Sequence, residues 1–357
     1  MSHSVRRICL RFTLFHCILL FCLAASAQRK PAVPPDPRFA PVDQLLKQNQ
    51  KDLGKDYAAV VWQGGKVIYL HEGYEDFTAK MQAPIVRCAD WMTAALVMTF
   101  VDEGKISLDD KVTRYIPEFG KYMKGYITIR NCLTNTTGIK VTNEGFKKML
   151  VTSSYQSLED VVNDYASKKP IQTNPGTEFY YSNLGPNIAA HCLEVVSKRP
   201  FERLIMERII RPLKMRSTTF DSQNGGPTDP SGGALSGAND YISFLVMLMN
   251  KGVAPDGKRI LSEKSVQELE TPQFTSLPVR FMPKELQGAQ FGLGCYILGS
   301  GNSTVLLNAN MLGTAAWIDS CRKYAAVLIT AKPEEDKKQV YTSMMTLVNE
   351  ALGGNCN

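Results

Sequence analysis

Arg87 and Asp90 stand three residues apart at the head of a segment whose apolar residues recur with helical spacing, so one helix face would carry a guanidinium beside a carboxylate. Neither is a nucleophile. Arginine stays protonated at any physiological pH, and aspartate brings only negative charge. The pair could close on itself as a salt bridge, or Arg87 could face outward and hold a carboxylate or phosphate. Cys88, between them, is a thiol near a helix N-terminus, a position that lowers thiol pKa. One residue's step turns a side chain by about 100° around the axis, so Cys88 is expected to point away from the Arg87 face, buried and inert. A serine elbow of the Gly-x-Ser-x-Gly type is missing, since Gly233-Ala234-Leu235-Ser236-Gly237 has the wrong spacing. His191 lies in the apolar run 187–196 with no carboxylate seen to orient it and reads as a packed residue; His71, beside Glu72, reads as surface. With no Cys-x-x-Cys and no phosphate-cradling glycine loop, no metal or nucleotide cofactor is implied.

The elements that must position these residues fall into three stretches. Tyr57 to Trp62 and Lys66 to Leu70 alternate across Gln63-Gly64-Gly65, a hairpin pattern, after a short amphipathic helix from Val42 to Gln50. A helix from Asp90 to Glu103 follows, stopped by Gly104, and then helices at 157–167, 185–198, 201–210, 238–251 and 262–270. Strand-like runs at 291–298, 303–307, 313–319 and 324–330 precede a last amphipathic helix from about Glu335 to Leu352. Strands at both ends with helices between predict an α+β fold: one antiparallel sheet formed by both chain ends, flanked by helices, with a mostly helical subdomain inserted. The sheet parts are expected at about 42–85 and 290–352, the helical part at about 86–289.

Arg6, Arg7 and Arg11, the apolar stretch Phe12 to Leu23 and Ala25-Ser26-Ala27 have the layout of a secretory signal peptide over residues 1–27. Residues 28–41, with five prolines, read as an extended tether. The protein is therefore expected outside the cytoplasm, periplasmic or extracellular, with no transmembrane segment. The formal charge of +7 becomes +4 without the three arginines of residues 1–27, which hold no acidic residue. No clustered basic stretch stands out that would argue for nucleic acid or an anionic membrane. Cys88, Cys132, Cys192, Cys295, Cys321 and Cys356 remain, and their 15 possible pairings leave every bridge open.

Four stretches give the chain a family resemblance: Thr93 to Phe119 (TAALVMTFVDEGKISLDDKVTRYIPEF), Ile127 to Ile139 (ITIRNCLTNTTGI), Phe179 to Gly185 (FYYSNLG) and Arg211 to Met215 (RPLKM). In order and spacing the region from about 42 to 352 resembles the class C β-lactamases, penicillin-binding proteins and related serine esterases. That resemblance implies a serine at the head of the core helix and a lysine three residues on, with the amine managing the hydroxyl proton in acyl transfer. Here those positions are Arg87 and Asp90. The family's Tyr-x-Asn is intact as Tyr181-Ser182-Asn183; the implied roles are proton movement for the tyrosine and holding a substrate carbonyl for the asparagine, against a purely packing role. The strand motif that implies a cation, a small residue and a glycine reads Asn308-Ala309-Asn310, before Gly313-Thr314. Asn135 stands where relatives carry histidine, ahead of Thr136-Thr137-Gly138. The expectation is a catalytically inactive homologue that binds a small anionic molecule or a cell-wall-type peptide, if it binds at all. The alternative is an active hydrolase of β-lactams, D-amino-acid peptides or small esters.

Overall fold

The computed structural model describes residues 33–54, 56–73, 76–141, 155–221, 226–309, 313–331, 340–354 and 356. The expected signal peptide, residues 28–32 of the tether and Asn310 lie outside these. Contacts divide the chain at Pro35, and the unit from Asp36 onward carries the fold. The tether is shorter than its proline content suggested. Pro37–Phe39 is a 3-10 turn opening on Asp36, whose carboxylate caps Arg38 N–H, and it runs straight into helix α1, Ala40–Gln48. Proline in a first helical turn loses no hydrogen bond, and Phe39 is already in the core.

The hairpin is β1 (Tyr57–Gln63) and β2 (Lys66–Glu72). The C-terminal strands are β3 (Gln290–Phe291), β4 (Tyr296–Leu298), β5 (Val305–Ala309), β6 (Ala315–Asp319) and β7 (Tyr324–Thr330). They form one sheet in the order β2-β1-β7-β6-β5-β4-β3, with Tyr57 opposite Thr330 and Gln63 opposite Tyr324. The run 291–298, read as one strand, is a hairpin folded at Gly292-Leu293-Gly294; Gly294 has φ +77°, a left-handed conformation that glycine adopts freely.

Both faces of the sheet are covered, which explains why Tyr324–Thr330 is apolar throughout instead of alternating. Ala58, Val60, Ala325, Val327 and Ile329 face one core, and Tyr57, Ala59, Val61, Tyr324, Ala326 and Leu328 face the other. The longer of the remaining helices are α2 (Ala89–Asp102), α3 (Leu158–Ser167), α4 (Leu184–Ser197), α5 (Ala238–Met249), α6 (Glu263–Glu270) and α7 (Val340–Leu352). Helix α5 lies against β1, β6 and β7, while α7 packs on α1 over the opposite face. Helix α2 is buried on every side from Ala89 to Phe100, as its nearly unbroken apolar sequence demands. The stretch 201–210 is helical but changes to a π turn over Met206–Ile210. The inserted part also carries short strands, among them Phe179–Tyr180 paired in parallel with Val279–Phe281.

The reading of His71 is corrected, and one cysteine pairing that the sequence left open is fixed. His71 is not a surface residue: its Nδ1 lies 2.8 Å from an Asp43 carboxylate oxygen, its Nε2 3.3 Å from the Tyr57 hydroxyl, and Tyr69 donates to the same Asp43. This cluster pins α1 to the edge strand. Cys321 and Cys356 form a disulfide, while Cys88, Cys132, Cys192 and Cys295 are free and buried.

Candidate functional site

The site is assembled where the start of α2, the start of α4 and strand β5 meet. Two glycines permit the approach. A side chain at Gly185 would put its first carbon 1.9 Å from the Cys132 carbonyl oxygen, so α4 can seat on the Ile129–Leu133 turn only with glycine there. At Gly294 the corresponding atom would lie 2.7 Å from the Asp90 carbonyl oxygen. The chain enters α2 through Val86, whose φ of +45° is costly for a β-branched residue, and through a 3-10 turn Val86–Cys88.

Arg87 turns inward. Its Nη2 lies 2.7 Å from Asp90 Oδ2, with the arginine side chain 12% and the aspartate 1% exposed. The guanidinium carbon stands 4.3 Å from the centre of the Tyr181 ring, a cation–π stack. The two charges touch without hydrogen-bond alignment: Arg87 Nε, Nη1 and Nη2 and both Asp90 oxygens are buried and unengaged by hydrogen bonds among the described residues, as are Tyr181 Oη, Tyr296 Oη and Asn308 Oδ1. The Tyr181 and Tyr296 rings lie 5.4 Å apart. Asn308 is wholly buried; its Nδ2 donates to the Gly294 carbonyl at 2.7 Å, a tie that holds the β3–β4 hairpin, and its own carbonyl accepts from Cys88 Sγ at 3.4 Å. Burial pushes the Cys88 thiol well above its ordinary range, so the thiolate that nucleophilic attack requires is suppressed.

Burial also pushes the Asp90 carboxyl up to about 8, against the attraction of Arg87. Arg87 moves upward as well: burial, the largest single influence, acts against its charge, but Asp90, Tyr181 and Tyr296 together outweigh it. Both directions are compatible because no N–H donates to the carboxylate, and hydrogen bonding to the ionised form is what ordinarily holds a carboxyl low. An Asp that takes up a proton more readily folded than unfolded stabilises the fold as pH falls. That contribution is complete below about 4 and is lost as pH rises through about 8. Thermal unfolding should therefore show the wild type gaining on the order of 2 kcal/mol between pH 9 and pH 6 relative to Asp90→Asn. Parallel curves for the two proteins would refute the assignment.

The Tyr181-Ser182-Asn183 segment keeps its shape through Asn135. That residue is left-handed, φ +56°, a conformation asparagine tolerates; its backbone carbonyl accepts from Tyr180 N–H at 2.9 Å and its Oδ1 from Ser182 N–H at 3.0 Å. Asn183, at the head of α4, is half-buried and its side chain makes no capping hydrogen bond. Arg87, Asp90, Tyr181 and Asn308 are thus brought together, Asn183 sits at the margin, and Asn310 lies outside the described residues.

Sequence reasoning missed one pairing. His191 has its orienting carboxylate after all: Nδ1 is 2.9 Å from Glu194 Oε2, and Glu194 Oε1 accepts Phe201 N–H at 2.8 Å. The i, i+3 spacing on α4 was the available signal. These residues line a recess of about 490 Å³ between α3 and the end of α4, apart from the Arg87 cluster. Among the described residues the one group of three metal-type side chains is Asp319, Cys321 and Cys356, and both thiols are spent on the disulfide.

The chain is 28% identical over 320 residues to Protein Rv1367c of Mycobacterium tuberculosis, a match covering 72% of this chain and 79% of that one. Among solved structures it resembles EstCE1, described as a hydrolase with promiscuous acyltransferase activity (TM-score 0.72, 19% identity, 88% of this chain and 99% of the other). It also resembles the octameric penicillin-binding protein homologue of Pyrococcus abyssi (TM-score 0.70, 20% identity, 88% and 78%). The sequence model described as Beta-lactamase matches residues 42–345, nearly the whole of the folded unit, and with the shared fold this establishes that the chain belongs to the β-lactamase family of serine hydrolases and their penicillin-binding relatives.

Proposed function

We propose that this protein is an exported, non-catalytic member of the family, in which the acyl-transfer site has been closed from within and any activity is one of binding. The observation that carries this reading is the contact between Arg87 and Asp90 at the positions where the family resemblance implies the nucleophile and its lysine. A guanidinium stacked on Tyr181 and a carboxylate at 1% exposure occupy the space that a serine hydroxyl would share with a substrate carbonyl. Acyl transfer needs a nucleophile with a base in reach. Here the thiol next to the vacated position is buried and keeps its proton, and the amine is replaced by an acid. Closure also argues against Arg87 as a receptor for an anionic ligand, because its nitrogens are buried and face Asp90. The disulfide supports export, since such bonds persist in oxidising compartments.

Intact mass spectrometry of the mature protein after incubation with a penicillin, and separately with a fluorophosphonate, tests the reading. No mass increase is expected with either reagent. An adduct on any residue would overturn it, and mapping the adduct would identify the nucleophile.

A further inference from the structure

We propose that the segment from Glu118 to Tyr126, a helical turn Glu118–Lys121 and the loop after it, is a docking surface for a membrane containing anionic phospholipid. This goes beyond the closed site and does not depend on it. Tyr122, Met123 and Tyr126 are 43%, 88% and 76% exposed, three large side chains within five positions of the chain. Their exposure is built in. Lys124 N–H donates to the Phe119 carbonyl and Ile127 N–H to that of Lys124, Val112 N–H is bonded to the Ile127 carbonyl, and Phe119 and Ile127 are buried beneath. Met123 is held left-handed, φ +59°, at the tip. Lys124 reaches inward to the Ala166 carbonyl and so ties the loop to the end of α3.

The charge around this tip has a small positive excess, carried outward by Lys111 and Lys169. From Asp109 to Arg130 the chain carries Lys111, Arg114, Lys121, Lys124 and Arg130 against Asp109, Asp110 and Glu118, and Lys124 is buried. Lys121 is paired with Glu118, Arg114 with Asp110 and Arg130 with Asp109 and Glu268. Lys111 has no acidic partner among the described residues and lies 5.4 Å from the centre of the Tyr126 ring. Beyond Ala166 come Lys168, paired with Asp164, and Lys169, which stands over the Tyr165 ring. In the sequence these cations are scattered from Lys111 to Lys169, and the tie of Lys124 to the Ala166 carbonyl brings the end of α3 to the base of the tip.

Tyrosine is favoured where headgroups meet hydrocarbon, and a lysine near an anionic surface adds attraction. A nucleic acid or acidic polysaccharide would meet the charges but offer nothing to Met123, and a second copy would bring like charges together.

The experiment is co-sedimentation of the mature protein with vesicles of phosphatidylcholine alone or mixed equally with phosphatidylglycerol. Binding to the mixed vesicles should exceed that to neutral ones about tenfold and fall away in high salt. Lys111→Gln should weaken it roughly fivefold, the equivalent of about 1 kcal/mol. A variant combining Tyr122→Ser, Met123→Ser and Tyr126→Ser should weaken it about tenfold or more with its melting curve unchanged. Equal binding to both vesicle types, undiminished binding by the triple variant, or sedimentation without vesicles would each overturn the proposal.

Discussion

At pH 9, where Asp90 is ionised, Asp90→Ala should destabilise the protein by about 3–5 kcal/mol, the usual cost of stranding one member of a buried ion pair. The remaining Arg87 cannot escape by losing its proton, and its nitrogens have no hydrogen-bond acceptor among the described residues. Arg87→Met strands the other partner, but a carboxyl can neutralise itself. Its penalty should therefore shrink from pH 9 to pH 6, while that of Asp90→Ala should grow, because the wild type gains proton-linked stability over that range and the variant does not. The double variant Arg87→Met with Asp90→Ala removes both charges and should recover most of the cost that the two single variants would sum to. Urea unfolding of the four proteins at both pH values completes the cycle. Single-variant costs below about 1 kcal/mol that simply add would mean that the contact contributes no coupling, and the closed site would lose its energetic basis.

Cys321→Ser should cost nearly as much. The bridge to Cys356 closes a loop of 35 residues, for which the chain-entropy argument gives about 4 kcal/mol and experience with native bridges about 2–5. The loop runs from the β6–β7 turn through β7 and α7. Loss of the bond frees the end of α7, which Arg322 otherwise also holds through the Gly353 and Gly354 carbonyls. Since α7 and α1 cover one face of the sheet, that core should loosen first. Melting curves with and without reductant give the check: reduction should lower the wild-type midpoint to that of the variant and leave the variant unmoved. Identical midpoints for oxidised wild type and variant would show that the packing of α7 needs no covalent help.

Most of the architecture was legible because its signals are local. The Gln63-Gly64-Gly65 turn, the stop at Gly104 and the spacing of apolar residues in 157–167, 185–198 and 238–251 each agree with the element found to within a few residues. The hairpin within 291–298 was not, because its apolar content reads as one strand and only the crowding of Gly294 against Asp90 demands the bend. Within the site, Arg87 and Asp90 could be named as a possible pair from their spacing, but whether the guanidinium turns in or out depends on Tyr181 and Asn308, which arrive from roughly 90 and 220 residues away. The Cys321–Cys356 bridge and the Asp43–His71 contact were hidden for the same reason: each joins segments that only the closed sheet brings together.

The pairing of β1 with β7 sets a constraint in time. Tyr57 meets Thr330 across roughly 270 residues of chain, and synthesis at 5–20 residues per second separates their emergence from the ribosome by roughly 15–55 s. Through that interval Tyr57 to Val61 have their hairpin partner but lack their central neighbour, and such distant pairing is slow to form even once both halves exist. The apolar edge of β1 is then a site for a chaperone or for mispairing, and completion of the sheet is a late event that leaves the chain threadable until almost its last strand is made.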